Sequence, residues 1–182
     1  MKFTHVAIAA TLAVGALTAQ AADPTASLDK SFAEYTGSGP IGNNNLNINT
    51  FYWMFESSGT YAGKAVNSWF LIWDPTSARV KGSVSFDAPI LFVHDDQAEL
   101  VATSSFGKAG VTYDYRNSLV GLEAGDKVGT SFAGSTLTLN WNASNPGDHV
   151  RVMTAVPEPQ TYALMAAGLG IVGWFARRRR AD

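Results

Sequence analysis

An uncharged apolar stretch stands near each end of this 182-residue chain, and both must be set aside before any fold is considered. The first follows Lys2. Residues 6–17 are apolar or small, and Ala19-Gln20-Ala21 then places small side chains at both positions that a signal peptidase reads. This is the three-part pattern of a secretory signal peptide, residues 1–21, with cleavage expected after Ala21. The apolar run is shorter than the roughly 20 residues a membrane span needs, which favours a removed leader over a retained anchor. The second stretch, residues 161–176, ends at four consecutive cations, Arg177, Arg178, Arg179 and Arg180. Residues 22–155 are left to fold, an ordinary length for one domain.

That domain has to stand without covalent staples. The chain contains no cysteine, so no disulfide can compensate for a thin core, and thiolate chemistry and Cys-type zinc sites are excluded. Eight Lys and Arg against thirteen Asp and Glu leave residues 22–155 at a net charge of −5, while the whole chain stands at −2. An acidic domain with no basic cluster excludes nucleic acid as a partner.

The periodicity within the domain is that of strands. Leu137, Leu139 and Trp141 alternate with polar residues, as do Val80, Val84 and Phe86, and Val111, Tyr113 and Tyr115. Residues 69–73, Trp-Phe-Leu-Ile-Trp, are apolar on both faces and end at Asp74-Pro75, which predicts a central strand covered on both sides. Residues 89–93 and 150–154 predict two more strands, the latter the last of the domain. Turn residues at 74–77, 87–89, 123–126 and 145–148 separate these segments. Residues 98–104 suit either a strand or a short helix, and nothing sustains a helical period over eleven residues. The expected fold is all-β, a jelly-roll-like β-sandwich. Residues 37–49, rich in Gly and Asn, read as a loop, with a polar ligand edge as the functional alternative.

Candidates for chemistry are few. His94, Asp95 and Asp96 place an imidazole beside two carboxylates at a strand end, a donor set that could hold a metal ion, calcium first because oxygen predominates. A solvated turn is the plainer account. His149 follows Asp148, but no G-x-S-x-G elbow supplies a nucleophile, and phosphate loops, dinucleotide fingerprints and H-E-x-x-H are absent from the sequence. Tryptophans at 69 and 141 share faces with leucines and read as core. Tyr113 and Tyr115 are the better candidates for stacking on a sugar ring.

The C-terminal segment, residues 156–182, has three parts. Val156-Pro157-Glu158-Pro159 is stiff and extended, since proline fixes its own φ and biases the preceding residue away from helix. Residues 161–176 suit a short membrane helix, with Tyr162 and Trp174 near its two interfaces. Arg177 to Arg180 act as a stop that stays in the cytoplasm, so the domain is expected outside the inner membrane. Val156-Pro157-Glu158-Pro159, Thr161, Ala163-Leu164-Met165, Gly168-Leu169-Gly170, Gly173 and the arginines closely resemble the PEP-CTERM sorting domain. The resemblance implies an exosortase as partner, in a Gram-negative bacterium that makes exopolysaccharide, with processing at or near Pro157-Glu158-Pro159. Asn67-Ser68-Trp69-Phe70 with Asp74-Pro75, and Pro146-Gly147-Asp148-His149-Val150-Arg151-Val152, also resemble the domain that many such tails follow. Together these readings describe a non-catalytic protein. It is handled by signal peptidase, anchored in the inner membrane as a precursor, then sorted by exosortase to the surface or the exopolysaccharide matrix. A carbohydrate-binding module is the first alternative and a metal-assisted hydrolase the second.

Overall fold

A computed structural model describes residues 21–156 and 168–172. The chain order is β1 (Thr25–Leu28), β2 (Ser31–Glu34), β3 (Thr50–Tyr61), β4 (Lys64–Trp73), β5 (Ser77–Ser85), β6 (Ile90–His94), α1 (Gln97–Ala102), a 3₁₀ turn (Ser104–Phe106), α2 (Ala124–Val128), β7 (Ser131–Ala133), β8 (Thr136–Ser144) and β9 (Asp148–Ala155). The strands form a four-stranded sheet in the order β1-β5-β8-β7 and a five-stranded sheet in the order β2-β3-β4-β9-β6. Pairing is antiparallel except between β2 and β3, which run parallel because residues 35–49 carry the chain back across the sheet between them.

Alternation decides which side chains face inward. On β8, Leu137, Leu139, Trp141 and Ala143 are buried while Thr138, Asn142 and Ser144 are exposed. They meet Phe51, Trp53, Trp69, Leu71, Trp73, Val150 and Val152 of the larger sheet in one cluster, which makes the two sheets a sandwich. Each such aromatic buries about 150–250 Å², worth about 4–6 kcal/mol at about 25 cal/mol per Å². A core built on six of them, Phe51, Trp53, Trp69, Trp73, Phe86 and Trp141, takes the place that disulfides fill in many exported domains.

The larger sheet is also covered on its other face. Phe70 and Ile72 of β4 point away from Trp69 and Leu71, and they join Tyr35, Ile41, Met54, Leu100 and Val120 in a second cluster. The apolar run at 69–73 is therefore a central strand buried on both sides. Its cover comes from residues 35–49 and 95–122. The Asn and Gly content of the first segment has a backbone cause: Asn43, Asn44, Asn47, Gly39 and Gly42 all have positive φ, a conformation that suits Gly and Asn best.

One open local reading is resolved, and one expectation changes. Residues 98–104 resolve into helix α1 and the start of the 3₁₀ turn, because the Asp96 side chain accepts the Glu99 N–H at 2.9 Å and caps the first turn. Residues 111–115 do not form a strand. They run extended over the outer face of the sheet, with a single bridge between Ile41 and Tyr113. Thr112 and Asp114 share backbone hydrogen bonds with Ser38 and Ile41, so the partner is a loop rather than a ladder. The alternation was real, since Val111, Tyr113 and Tyr115 all pack on the second cluster.

Ala21–Pro157 form one compact unit, and every hydrophobic cluster described lies within it. In the other unit, residues 168–172 are helical and exposed. Among the described residues no helix is long and apolar enough to cross a membrane. The signal peptide expected at 1–21, apart from Ala21, and residues 157–167 and 173–182 of the C-terminal segment lie outside the described residues.

Candidate functional site

The polar centre of the domain sits beneath the cover, on the outer face of the larger sheet. A register shift between Phe55 and Ser57 makes Glu56 the extra residue of a β-bulge, and bulges re-aim side chains. Glu56 meets Arg151 of β9, and both are buried. Arg151 Nε donates to Glu56 Oε2 at 2.6 Å and Nη2 to Oε1 at 2.8 Å, a two-point pairing. The remaining donors are also used. Nη1 reaches the Leu100 carbonyl at 2.9 Å and Thr103 Oγ1 at 2.6 Å, and Nη2 reaches Tyr115 Oη at 3.2 Å. The guanidinium lies 5.2 Å from the Phe70 ring centroid. Desolvation alone would favour losing the proton, but the Glu56 hydrogen bonds and charge outweigh it and hold the guanidinium above its usual range.

Tyr113 and Tyr115 lie over this centre with stacked rings, 5.8 Å apart and 27° inclined. Their hydroxyls point inward: Tyr113 Oη accepts the Lys108 N–H at 2.9 Å, and Tyr115 Oη accepts from Arg151. Burial raises both phenols, Tyr115 to about 12. Both residues are half-buried, and they line an open depression with Pro40, Asn45, Asp114 and Arg116. Arg116 Nε and Nη2 grip Asp114 at 2.9 and 2.6 Å and hold its carboxyl well below the usual range. The depression therefore combines aromatic surface with fixed charge and the amide of Asn45, which suits a polar ligand with an apolar face.

The carboxylates near His94 are arranged around a helix start. Oxygens of Asp95, Asp96 and Glu99 come within 4.8 Å of one another, and Glu99 takes the place that sequence reasoning gave to His94. His94 Nδ1 lies 3.9 Å from Glu99, and its ring packs against Tyr61 and Phe92. Lys127 Nζ stands 2.7 Å from Asp95 and 3.5 Å from Asp96. Asp96 caps α1, and Glu99 accepts the Asp95 N–H at 3.1 Å. The three carboxylates have partners without a metal ion, whereas the buried Nε2 of His94 has none. A second group, Glu123, Asp126 and Asp148, was not anticipated, because Asp148 of β9 is far in the chain from Glu123 and Asp126 at the start of α2.

His149 is fully buried, and its Nδ1 donates to the Val120 carbonyl at 3.1 Å. Burial lowers its pKa to about 4, so it is a neutral ring that pins residues 117–122 to the sheet. The buried Arg151–Glu56 pair was also missed. Its signal was present, since Arg151 is a lone cation between Val150 and Val152.

Comparison with known families finds a PEP-CTERM protein-sorting motif at residues 155–180. The chain thus carries this motif at its C-terminus, spanning Val156, Pro157, Glu158, Pro159 and the arginines 177–180, and the motif implies recognition by an exosortase. No curated protein and no solved structure matches the chain.

Proposed function

We propose that the protein is a non-catalytic component of the cell surface or extracellular matrix, delivered there by exosortase and associated with exopolysaccharide. The sorting motif at residues 155–180 carries this reading. The remaining steps follow from the order of the segments. A leader at 1–21 starts export, and the uncharged stretch 161–176 with its arginine stop holds the precursor in the inner membrane. Processing near Pro157-Glu158-Pro159 then releases a cysteine-free β domain. Replacing Pro157, Glu158 and Pro159 together by alanine tests this directly. Surface or matrix delivery should be lost while the domain still crosses the inner membrane, and unchanged delivery would contradict the reading.

A second reading is carbohydrate binding at the Tyr113–Tyr115 depression. The side-by-side rings and the neighbouring Asn45, Asp114 and Arg116 favour it. Binding of the organism's own exopolysaccharide, weakened by Tyr113→Ala, supports it; no binding to that polymer refutes it.

A further inference from the structure

Each of Glu123, Asp126 and Asp148 brings a carboxylate oxygen within 4.8 Å of the other two. Oxygens held by one calcium ion at about 2.3–2.6 Å lie at most about 5 Å apart, so these spacings suit a shared ion. The fold assembles the group from separate elements. Glu123 is the residue before α2, Asp126 lies in its first turn, and Asp148 opens β9.

The three are not equally exposed, and that difference points to a ligand. Asp148 is only 1% exposed, and its Oδ2 has no hydrogen-bond partner. An ionised carboxylate buried in this way is strongly disfavoured unless a cation completes it. Among the described residues no ion pair includes Glu123, Asp126 or Asp148, and Lys127 of α2 is turned toward Asp95 and Asp96. Burial, then the charges of Asp126 and Glu123, push the Asp148 carboxyl up to about 8. A cation relieves that same crowding of negative charge.

The frame around the group is fixed. Asp126 Oδ1 accepts the Asn142 N–H at 2.9 Å. The Asp126 carbonyl accepts from Thr130 Oγ1, which in turn accepts from Trp141 Nε1 at 2.7 Å. The helix turn is thereby tied to β8 and to the core.

We propose that Glu123, Asp126 and Asp148 form a calcium site. The donors are all oxygen, which selects a hard cation over zinc or copper. Half-buried Glu123 and Asp126 leave the group open to solvent on one side, so water can complete the shell. Calcium accepts such a variable shell, whereas magnesium demands near-octahedral geometry. The ion ties α2 to the start of β9 and supplies a cross-link that this cysteine-free domain otherwise lacks. The site is independent of the sorting motif, and its test does not depend on exosortase.

The test uses the full chain in mild detergent, stripped with a chelator and then titrated with calcium chloride alone. Thermal unfolding should shift upward by about 5–10 °C at calcium a hundredfold above its Kd. Terbium should replace calcium and give luminescence sensitised by tryptophan, since Trp73 lies across the ladder from Asp148. Asp148→Asn and Glu123→Gln should each abolish both signals. A variant carrying Asp95→Asn and Glu99→Gln should keep them. If Asp148→Asn does not fold, Glu123→Gln, at a half-buried position, carries the test. No shift of the unmodified chain up to about 10 mM calcium overturns the proposal, as does a shift undiminished by both substitutions. An equal shift with magnesium overturns the choice of ion.

Discussion

Removing Arg151 should be among the most damaging single changes in the domain. In Arg151→Met the five donated hydrogen bonds are lost together: two to Glu56, and one each to Leu100, Thr103 and Tyr115. Glu56 then keeps only the Ser68 hydroxyl, at 2.7 Å, in a site where it is 6% exposed. Breaking a buried pair by deleting one partner typically costs about 3–5 kcal/mol, because the surviving charge stays buried. The double variant Glu56→Leu, Arg151→Met removes that charge and should recover about 2 kcal/mol or more. Full recovery is not expected, since the Leu100 carbonyl and the Thr103 hydroxyl still lose a donor, at about 1 kcal/mol or more each. Urea unfolding of residues 22–155, followed by the fluorescence of the core tryptophans, measures both variants at constant slope. A loss below about 1 kcal/mol in Arg151→Met would refute the reasoning, as would a double variant less stable than the single one.

Other consequences can be measured on the same domain. Gly82 has φ of +143°, and a Cβ there would collide with the Ser27 carbonyl oxygen and lie 2.9 Å from Leu28 Cα. Gly82→Ala should therefore detach β1 from β5 and cost about 2–4 kcal/mol by urea unfolding, and a change under 0.5 kcal/mol would refute the steric argument. Tyr115 is raised from 10 to about 12 in the fold, so its contribution is fully present below pH 10 and is lost as pH rises toward 12. The stability advantage of wild type over Tyr115→Phe should fall by about 1.4 kcal/mol per pH unit across that window; a difference independent of pH would contradict the burial of the hydroxyl.

How much of this was legible depended on whether a residue's neighbours lie nearby in sequence. The face of β8 could be read from Leu137, Leu139 and Trp141, because period-two alternation is local. The doubly buried β4 could be read from its unbroken apolar run. Val111, Tyr113 and Tyr115 show where periodicity stops: it reports an extended backbone with one apolar face, not whether a ladder partner exists. β3 escaped notice because its buried aromatic run passes into a bulge at Glu56, which breaks the alternation where the charged residue turns toward Arg151. Arg151 was visible as a lone cation in an apolar strand, but its partner on another strand was not. The Glu123, Asp126 and Asp148 group depends wholly on α2 and β9 meeting, which no local pattern encodes.

The central claim concerns the C-terminal segment, and the intact mass of the exported protein tests it most directly. The mass should be measured from cells with and without an exosortase. With the enzyme, the recovered protein should begin at Ala22 and lack residues beyond the Pro157-Glu158-Pro159 region, including the arginines 177–180. Without it, the arginines should remain and the protein should stay with the membrane fraction. An unchanged C-terminus in both cells would contradict the account.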